Sequence, residues 1–521
     1  MRRTAGLAVL ALLALGLGTV TPPADASGRA IRVTKTTDDA PNGCTRRDCS
    51  LREAIIKANS RKHGGTIVLR ATSYDLTITG AGEDGAATGD LDIRRKITIK
   101  GTPGVTTISQ SAADRVFHIV DSTTGALTLT GVTVTGGDVT GDGGGIAVDA
   151  GRALTLVGST ITANHASDAG GGIADDGGTV RLLRSTVASN IAGTDASGPG
   201  GGIYANGPGM LSLTESTISG NSAPDSGGGI DLEQPDAAFT LLRSTVSGNQ
   251  SAYRGGGLAL TLTTATLPFT LQDSTISGNG TTGEAGGLLC QCVGELLMNH
   301  VTLTNNTADT DANNSSVQYG GVEVQLNDMR MEASIVAGNH DAGQTNAEDC
   351  GLGGSILSLD FNVVGQANCL VTAQGSDQTV SDTTFLDALG GYGGPTFTQE
   401  INNPMTAPVD AQSGPDCGGT DQRGVPRPQG GGCDAGAYEY ATCGGVVVNT
   451  VGTNHRDHLV GTVANDGILG LGGNDTISGL DGNDGICGGR GKDKIDGGTG
   501  NDTCIGGPAH DKFKNCEIKQ Q

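Results

Sequence analysis

Short runs in which apolar and polar residues alternate recur through the middle of the chain, among them Leu154/Leu156, Val180/Leu182, Leu211/Leu213 and Phe269/Leu271. A period of two marks a strand with one buried face. Two phrases frame these runs. Gly-Gly-Gly-Ile or a near copy begins at Gly143, Gly170, Gly200, Gly227 and Gly255, and fades to Gly286-Gly287-Leu288 and Gly320-Gly321-Val322. A Ser/Thr-rich phrase then ends in Asn164, Asn190, Asn221, Asn249, Asn279, Asn306 and Asn339. Behind the glycines the alternation resumes, with Ile146 and Val148, Ile203 and Ala205, Ile230 and Leu232, and Leu258 and Leu260 facing inward. Successive asparagines are mostly 26 to 31 residues apart, a period of stacked supersecondary units. With about three short strands per unit and no helix-length segment between them, the expected fold is all-β: a right-handed parallel β-helix, repeating over 91–345.

At one corner of each coil the glycines supply positive φ and close backbone approach. At the other, asparagine is expected to take the left-handed conformation and to pair its amide with the same amide one coil on. At about 4.8 Å per coil these amides would form a ladder. Such patterning builds a coil and says little about chemistry.

Before the repeats, Met1 to Ala26 carries two arginines, an apolar run from Leu7 to Val20 and a small-residue end, which reads as a signal peptide. No later segment is apolar enough to span a bilayer. Ser50-Leu51-Arg52-Glu53 is a capping box, and Ala54, Ile55 and Ala58 give the helix behind it an apolar face. That helix is suited to cover the open end of the solenoid.

Cys49-Ser50-Leu51-Arg52-Glu53-Ala54 resembles the phrase that names the bacterial CSLREA domain, and the likeness continues through Ala58-Asn59, Thr66-Ile67, Tyr74-Asp75-Leu76 and Gly89-Asp90-Leu91-Asp92-Ile93. The resemblance implies a secreted bacterial β-helix protein of the pectin-lyase-like kind, with an N-terminal cap over 27–90. The glycine and asparagine phrases are also similar to repeats of chlamydial polymorphic outer-membrane proteins, which implies an adhesin role; aromatic-rich repeats and a C-terminal barrel are lacking. Over 346–441 the repeat becomes irregular. Asp421-Gln422-Arg423-Gly424, Arg427-Pro428 and Cys433-Asp434-Ala435-Gly436-Ala437-Tyr438-Glu439 resemble a closing segment, implying a terminal cap. Arg423 or Arg427 with Asp434 or Glu439 is read as a structural ion pair.

The chain holds 89 glycines, twelve cysteines, no tryptophan and a formal net charge of -23. So acidic a surface argues against nucleic acid and for cations, neutral glycans or basic cell-surface partners. Export favours disulfides: Cys44 with Cys49, Cys350 with Cys369, Cys417 with Cys433, Cys443 with Cys487 and Cys504 with Cys516 by proximity. Cys290 and Cys292, at i and i+2 of a strand, are expected to stay thiols.

Within 443–516, seven nonapeptides begin at Gly452, Gly461, Gly470, Gly479, Gly488, Gly497 and Gly506. Their sixth positions are Asp457, Asp466, Asp475, Asp484, Asp493, Asp502 and Asp511, each followed two residues later by an apolar residue. Gly488 to Asp496 fits the calcium-binding nonapeptide pattern of RTX proteins. Glycines turn carbonyl oxygens toward a cation and aspartate adds hard charged oxygens, a donor set for calcium. Two units make an eighteen-residue coil, so Asp475 and Asp493 share one side and Asp466, Asp484 and Asp502 the other. These five are the candidate calcium ligands of a small β-roll.

Asp149, Asp176, Asn206, Glu233 and Thr261 stand three residues beyond the inward residue of each glycine phrase and form an outward column, with Asp231 beside it. Adjacent coils place Asp149 and Asp176 about 5 Å apart, and Asp176 and Glu233 about 10 Å apart, separations glycosidases use. Any stacked coil gives these spacings, and the column lacks a clustered base or a tryptophan platform. The expectation is therefore a secreted calcium-binding protein with a binding or adhesion role. The alternative is a polysaccharide lyase or glycoside hydrolase using Asp149, Asp176, Asp231 and Glu233.

Overall fold

The computed structural model describes residues 29–521 apart from 121–123, 194–196, 234–237, 263–268, 294–295, 313–317, 327, 344–347, 367–368, 403–407 and 413–416. The segment read as a signal peptide, Met1 to Ala26, lies outside the described residues. Two parallel solenoids, a long one and then a smaller one, make up most of the chain.

Several coils of the large solenoid have four strands, one more than the alternation suggests; in the coils holding Phe269–Ser277 and Leu296–Thr304 the second and third merge into one. In one coil the four are Ile146–Val148, Ala153–Val157, Thr160–Thr162 and His165–Ala166. The strand behind the glycines pairs in register with its copies above and below, as in Ile146↔Ile173, Ile173↔Ile203 and Ile203↔Ile230. Among the described residues this sheet has ten strands. In-register stacking puts like on like: Leu156, Leu182, Leu213, Leu241, Leu271, Met298 and Met331 form one column, each at most 2% exposed. A fully buried side chain of this size contributes about 1.5–3 kcal/mol, so each coil is held by its own apolar core.

The corners work partly as expected. The first glycine of each complete triplet has positive φ, 71° at Gly143 and 64° at Gly227, and in the faded phrase at Gly286 the preceding Ala285 takes that conformation at 60°. A Cβ on the third would lie 2.6 Å from the next coil's carbonyl, as at Gly145 against Gly172. The amide ladder is continuous, each Nδ2 donating to the next Oδ1 from Asn164 through Asn190, Asn221, Asn249, Asn279 and Asn306 to Asn339 at 2.9–3.0 Å. The left-handed residue, however, is the one before each asparagine: Ala163, Ser189, Gly220, Gly248, Gly278, Asn305 and Gly338. Turning the chain there aims the amide along the stack. A second ladder, of serine hydroxyls accepting from backbone N–H groups one coil back, runs from Ser159 through Ser185, Ser216 and Ser244 to Ser274.

The Leu51–Asn59 helix has both halves of the capping box, Ser50 accepting from Glu53 N and Glu53 from Ser50 N. Arg52 is fully buried; it pairs with Asp38 at 2.7 Å and donates to the carbonyls of Ala86, Gly89 and Asp90. The segment around Gln422 to Glu439 runs back along the flank of several coils: Gln422 Nε2 donates to Thr245 Oγ1, Gln422 Oε1 accepts from Thr275 Oγ1, and Thr302 Oγ1 accepts from Ala437 N. Arg423 pairs with Asp421 and Arg427 with Glu439, all buried. Arg423 also donates to Val448 O, joining this segment to the second solenoid.

Five disulfides pair as proximity suggests, and Cys290–Cys292 is a sixth. The expectation of thiols there is corrected. Both side chains face inward from one strand, and their Cα atoms stand 5.1 Å apart, inside the range a disulfide spans.

Candidate functional sites

In the small solenoid, eighteen-residue coils alternate between two parallel sheets, with Ile468, Ile477, Ile486, Ile495 and Cys504 filling a narrow core. Two aspartate ladders run along it. Asp475 Oδ1 accepts from Asp457 N, Asp493 Oδ1 from Asp475 N, and Asp511 Oδ1 from Asp493 N. On the other side Asp484 accepts from Asp466 N and Asp502 from Asp484 N.

The second carboxylate oxygen separates the five candidates. Oδ2 of Asp475, Asp484, Asp493 and Asp502 is buried without a hydrogen-bond partner. Asp466 Oδ2 instead accepts from Thr462 N at 2.6 Å and Thr462 Oγ1 at 3.0 Å. The threonine follows Gly461, where the repeat pattern has a second glycine. The free oxygens converge with backbone carbonyls on a space only glycine leaves open: a Cβ on Gly479 would lie 2.1 Å from Asp484 Oδ2 and 2.4 Å from Gly497 O, and one on Gly488 2.5 Å from Asp493 Oδ2 and 3.0 Å from Gly506 O. Four unpartnered carboxylate oxygens beside carbonyls fit a hard cation and little else. Burial, with neighbouring aspartates, holds the Asp475, Asp484 and Asp493 carboxyls above their ordinary value.

On the large solenoid, the sheet behind the glycines opens into a groove of about 690 Å³ lined by Arg115, His118, Asp142, Asp149, Asp176 and Tyr204 among others. Register keeps Asp176, Asn206, Glu233 and Thr261 in one column. Of the four candidate carboxylates, only Asp149 and Asp176 reach the groove. Asp149 Oδ1 sits 2.9 Å from His118 Nε2. Glu233 accepts from Tyr204 OH at 3.1 Å. Asp231 is 2% exposed, and burial with Glu233 and Asp225 pushes its carboxyl well above the usual range. Asp175 falls in the inward register with Val148 and Ala205; burial raises its carboxyl to about 7, while the bond from Gly178 N opposes the shift.

His118 and Arg115 escaped sequence reasoning because their coil precedes the first glycine phrase. Only the match of Phe117 and Ile119 to Ile146 and Val148 could have placed His118 beside Ala147.

A family model described as right handed beta helix region matches residues 144–356, and one described as RTX calcium-binding nonapeptide repeat matches 451–486 and 488–513. The chain carries a right-handed β-helix and RTX calcium-binding repeats. No curated protein matches it. Among solved structures it is similar to pectate lyase Pel9A (14% identity, TM-score 0.37, covering 79% of this chain and 97% of that one). It is also similar to the mannuronan C-5 epimerase AlgE4 A-module of Azotobacter vinelandii (12%, 0.34, 66% and 94%), and to the PL6 family alginate lyase AlyGC (10%, 0.26, 92% and 72%). Likenesses this distant carry no argument about substrate. Among the described residues no helix is long and apolar enough to cross a membrane.

Proposed function

We propose that the protein works outside the cell, where calcium sets the RTX roll and the β-helix flank binds a neutral or amino-bearing glycan or a basic cell-surface partner without cleaving it. Asp475, Asp484, Asp493 and Asp502 hold the calcium, with Asp466 contributing least because Thr462 already occupies its second oxygen. The observation that carries the non-catalytic reading is the engagement of the carboxylates: Asp149 with His118, Glu233 with Tyr204, and Asp231 buried. Asp176 is left without a catalytic partner carboxylate. The groove's excess of carboxylates repels polyuronates and attracts cationic or neutral sugars.

One observation favours the second reading, a glycan-cleaving enzyme. His118 beside Asp149 is a base within hydrogen-bond reach of a carboxylate, at the edge of a groove. The test is a panel of neutral, amino-bearing and acidic glycans, assayed with calcium for both binding and turnover. Binding of the first two classes, weakened in Asp142→Asn/Asp176→Asn and without products, is the expected result. Products that disappear in His118→Ala or Asp176→Ala would replace this reading with the second.

A further inference from the structure

At the N-terminal end of the groove, Asp84, Asp92 and His118 bring one ligand atom each within 4.8 Å of one another. Three features set this cluster apart from ordinary surface acids. Asp92 is fully buried, and its Oδ1 has no hydrogen-bond partner. The rest of that residue is fixed: Oδ2 accepts from Ala86 N at 2.7 Å and its carbonyl from Asn59 Nδ2 at 2.7 Å. The unsatisfied oxygen stands 3.7 Å from His118 Nδ1.

The histidine is oriented from its far side. Asp149 Oδ1 lies 2.9 Å from His118 Nε2, so a proton on Nε2 is held by the carboxylate and the Nδ1 lone pair faces Asp92. Metal-ligating imidazoles are arranged this way, the outer nitrogen given to a carboxylate that fixes tautomer and ring. Asp84 comes from a loop folded around another acid, Glu83, whose carboxylate accepts from the N–H groups of Gly85, Ala87 and Thr88. Glu83 is thereby occupied in shaping the loop.

Charge points the same way. Asp90 and Asp114 stand behind the cluster, where Asp90 N donates to Asp114 and Arg115 lies 3.6 Å from Asp90 Oδ2. Acids outnumber the cations facing them.

We propose that Asp84, Asp92 and His118 form a binding site for a divalent cation of the zinc class, separate from the calcium roll, with Asp149 as the residue that positions the histidine. An imidazole with two carboxylates, completed by a water as fourth ligand, matches zinc. Calcium prefers six to eight oxygens and gains little from a nitrogen. The ion would tie the loop carrying Asp84 to the first coils of the β-helix.

The test uses the whole chain, stripped with chelator and dialysed against zinc with calcium kept at about 1 mM so that the roll is set. Bound zinc is counted by elemental analysis, and cobalt is substituted to read its visible spectrum. Because His455, His458 and His510 on the roll offer zinc other contacts, the measure is the difference between variants. The wild type is expected to hold one more zinc than His118→Ala and to show cobalt bands of a nitrogen and oxygen donor set that this variant lacks. Asp149→Asn should weaken the site about 10–100-fold. Asp84→Asn, at an exposed position that does not threaten folding, should weaken it at least as much. Equal zinc in wild type, His118→Ala and Asp84→Asn, or a wild type that binds none, would overturn the proposal.

Discussion

One ladder side chain, Asn249, closes four hydrogen bonds at once: Nδ2 donates to Ile218 O and Asn279 Oδ1, while Oδ1 accepts from Asn221 N and Asn221 Nδ2. In Asn249→Ala both Asn221 donors lose their acceptor in a dry interior, at about 1–3 kcal/mol for each group left unmade. The expected loss is about 2–4 kcal/mol, read as a lower midpoint in urea with an unchanged slope; a loss under about 0.5 kcal/mol would mean that the ladder follows the fold without stabilising it. The asparagine column is legible in the sequence because only a side chain that both donates and accepts can pair with itself coil after coil. The conformation that aims it is not. Positive φ falls on the preceding residue, which is Ala163, Ser189, Gly220 or Asn305 in different coils, and so varied a set carries no motif. Nor does the spacing distinguish Asp466 from Asp484; that difference lies in Thr462, one position after Gly461, whose N–H and hydroxyl both reach the carboxylate.

Strands obey their period more strictly than their chemistry, and Asp175 shows the consequence. Ile173–Asp176 keeps register with Ile146–Val148 below and Ile203–Asn206 above, so the third residue of the strand faces inward whatever its identity. A carboxyl stands there at 1% exposure, with one oxygen bonded to Gly178 N and the other unpartnered. Its folded value is about 7, against an ordinary 3.8. A raised carboxyl contributes stability below the ordinary value and loses it as pH rises through the folded one. Asp175→Asn is therefore expected to match the wild type near pH 4 and to be more stable by about 1–3 kcal/mol near pH 8. Thermal melts at both values decide it, and a variant less stable at high pH would show that the ionised carboxylate has a partner there, such as a cation. The same register explains what the sequence hid. The column of Asp176, Asn206 and Glu233 follows from glycine phrases, whereas His118 enters the sheet from a coil with no glycine triplet, and only pairing with Ala147 reveals it.

The two solenoids differ in how they balance their charges. The large one buries several apolar side chains per coil and closes its polar corners with amide and hydroxyl ladders, so the folding of its repeats is expected not to depend on calcium. The roll has one core side chain in nine residues and stacks carboxylates eighteen residues apart, with four buried oxygens unsatisfied. Without a cation, like charges oppose its folding, and calcium binding is expected to supply folding free energy. A hundredfold excess of calcium over its dissociation constant adds about 2.7 kcal/mol. The roll's first strand, Val446–Val451, is fastened independently of calcium. Arg423 and Tyr438 from the flank segment both reach Val448 O, and the Cys443–Cys487 disulfide closes a 44-residue loop into the roll. Chelation should therefore loosen the roll from its far end, with Cys504–Cys516 holding a local loop in an otherwise open segment. Hydrogen exchange on the whole chain, with calcium and then with chelator, is expected to show protection lost first at Lys494–Thr499 and Thr503–Ile505, later at Val446–Val451, and unchanged across the asparagine ladder. Protection in the roll that is equal in both conditions would remove calcium from its folding. Loss that spreads into the ladder would show the two solenoids to be one cooperative unit, with calcium controlling the groove as well.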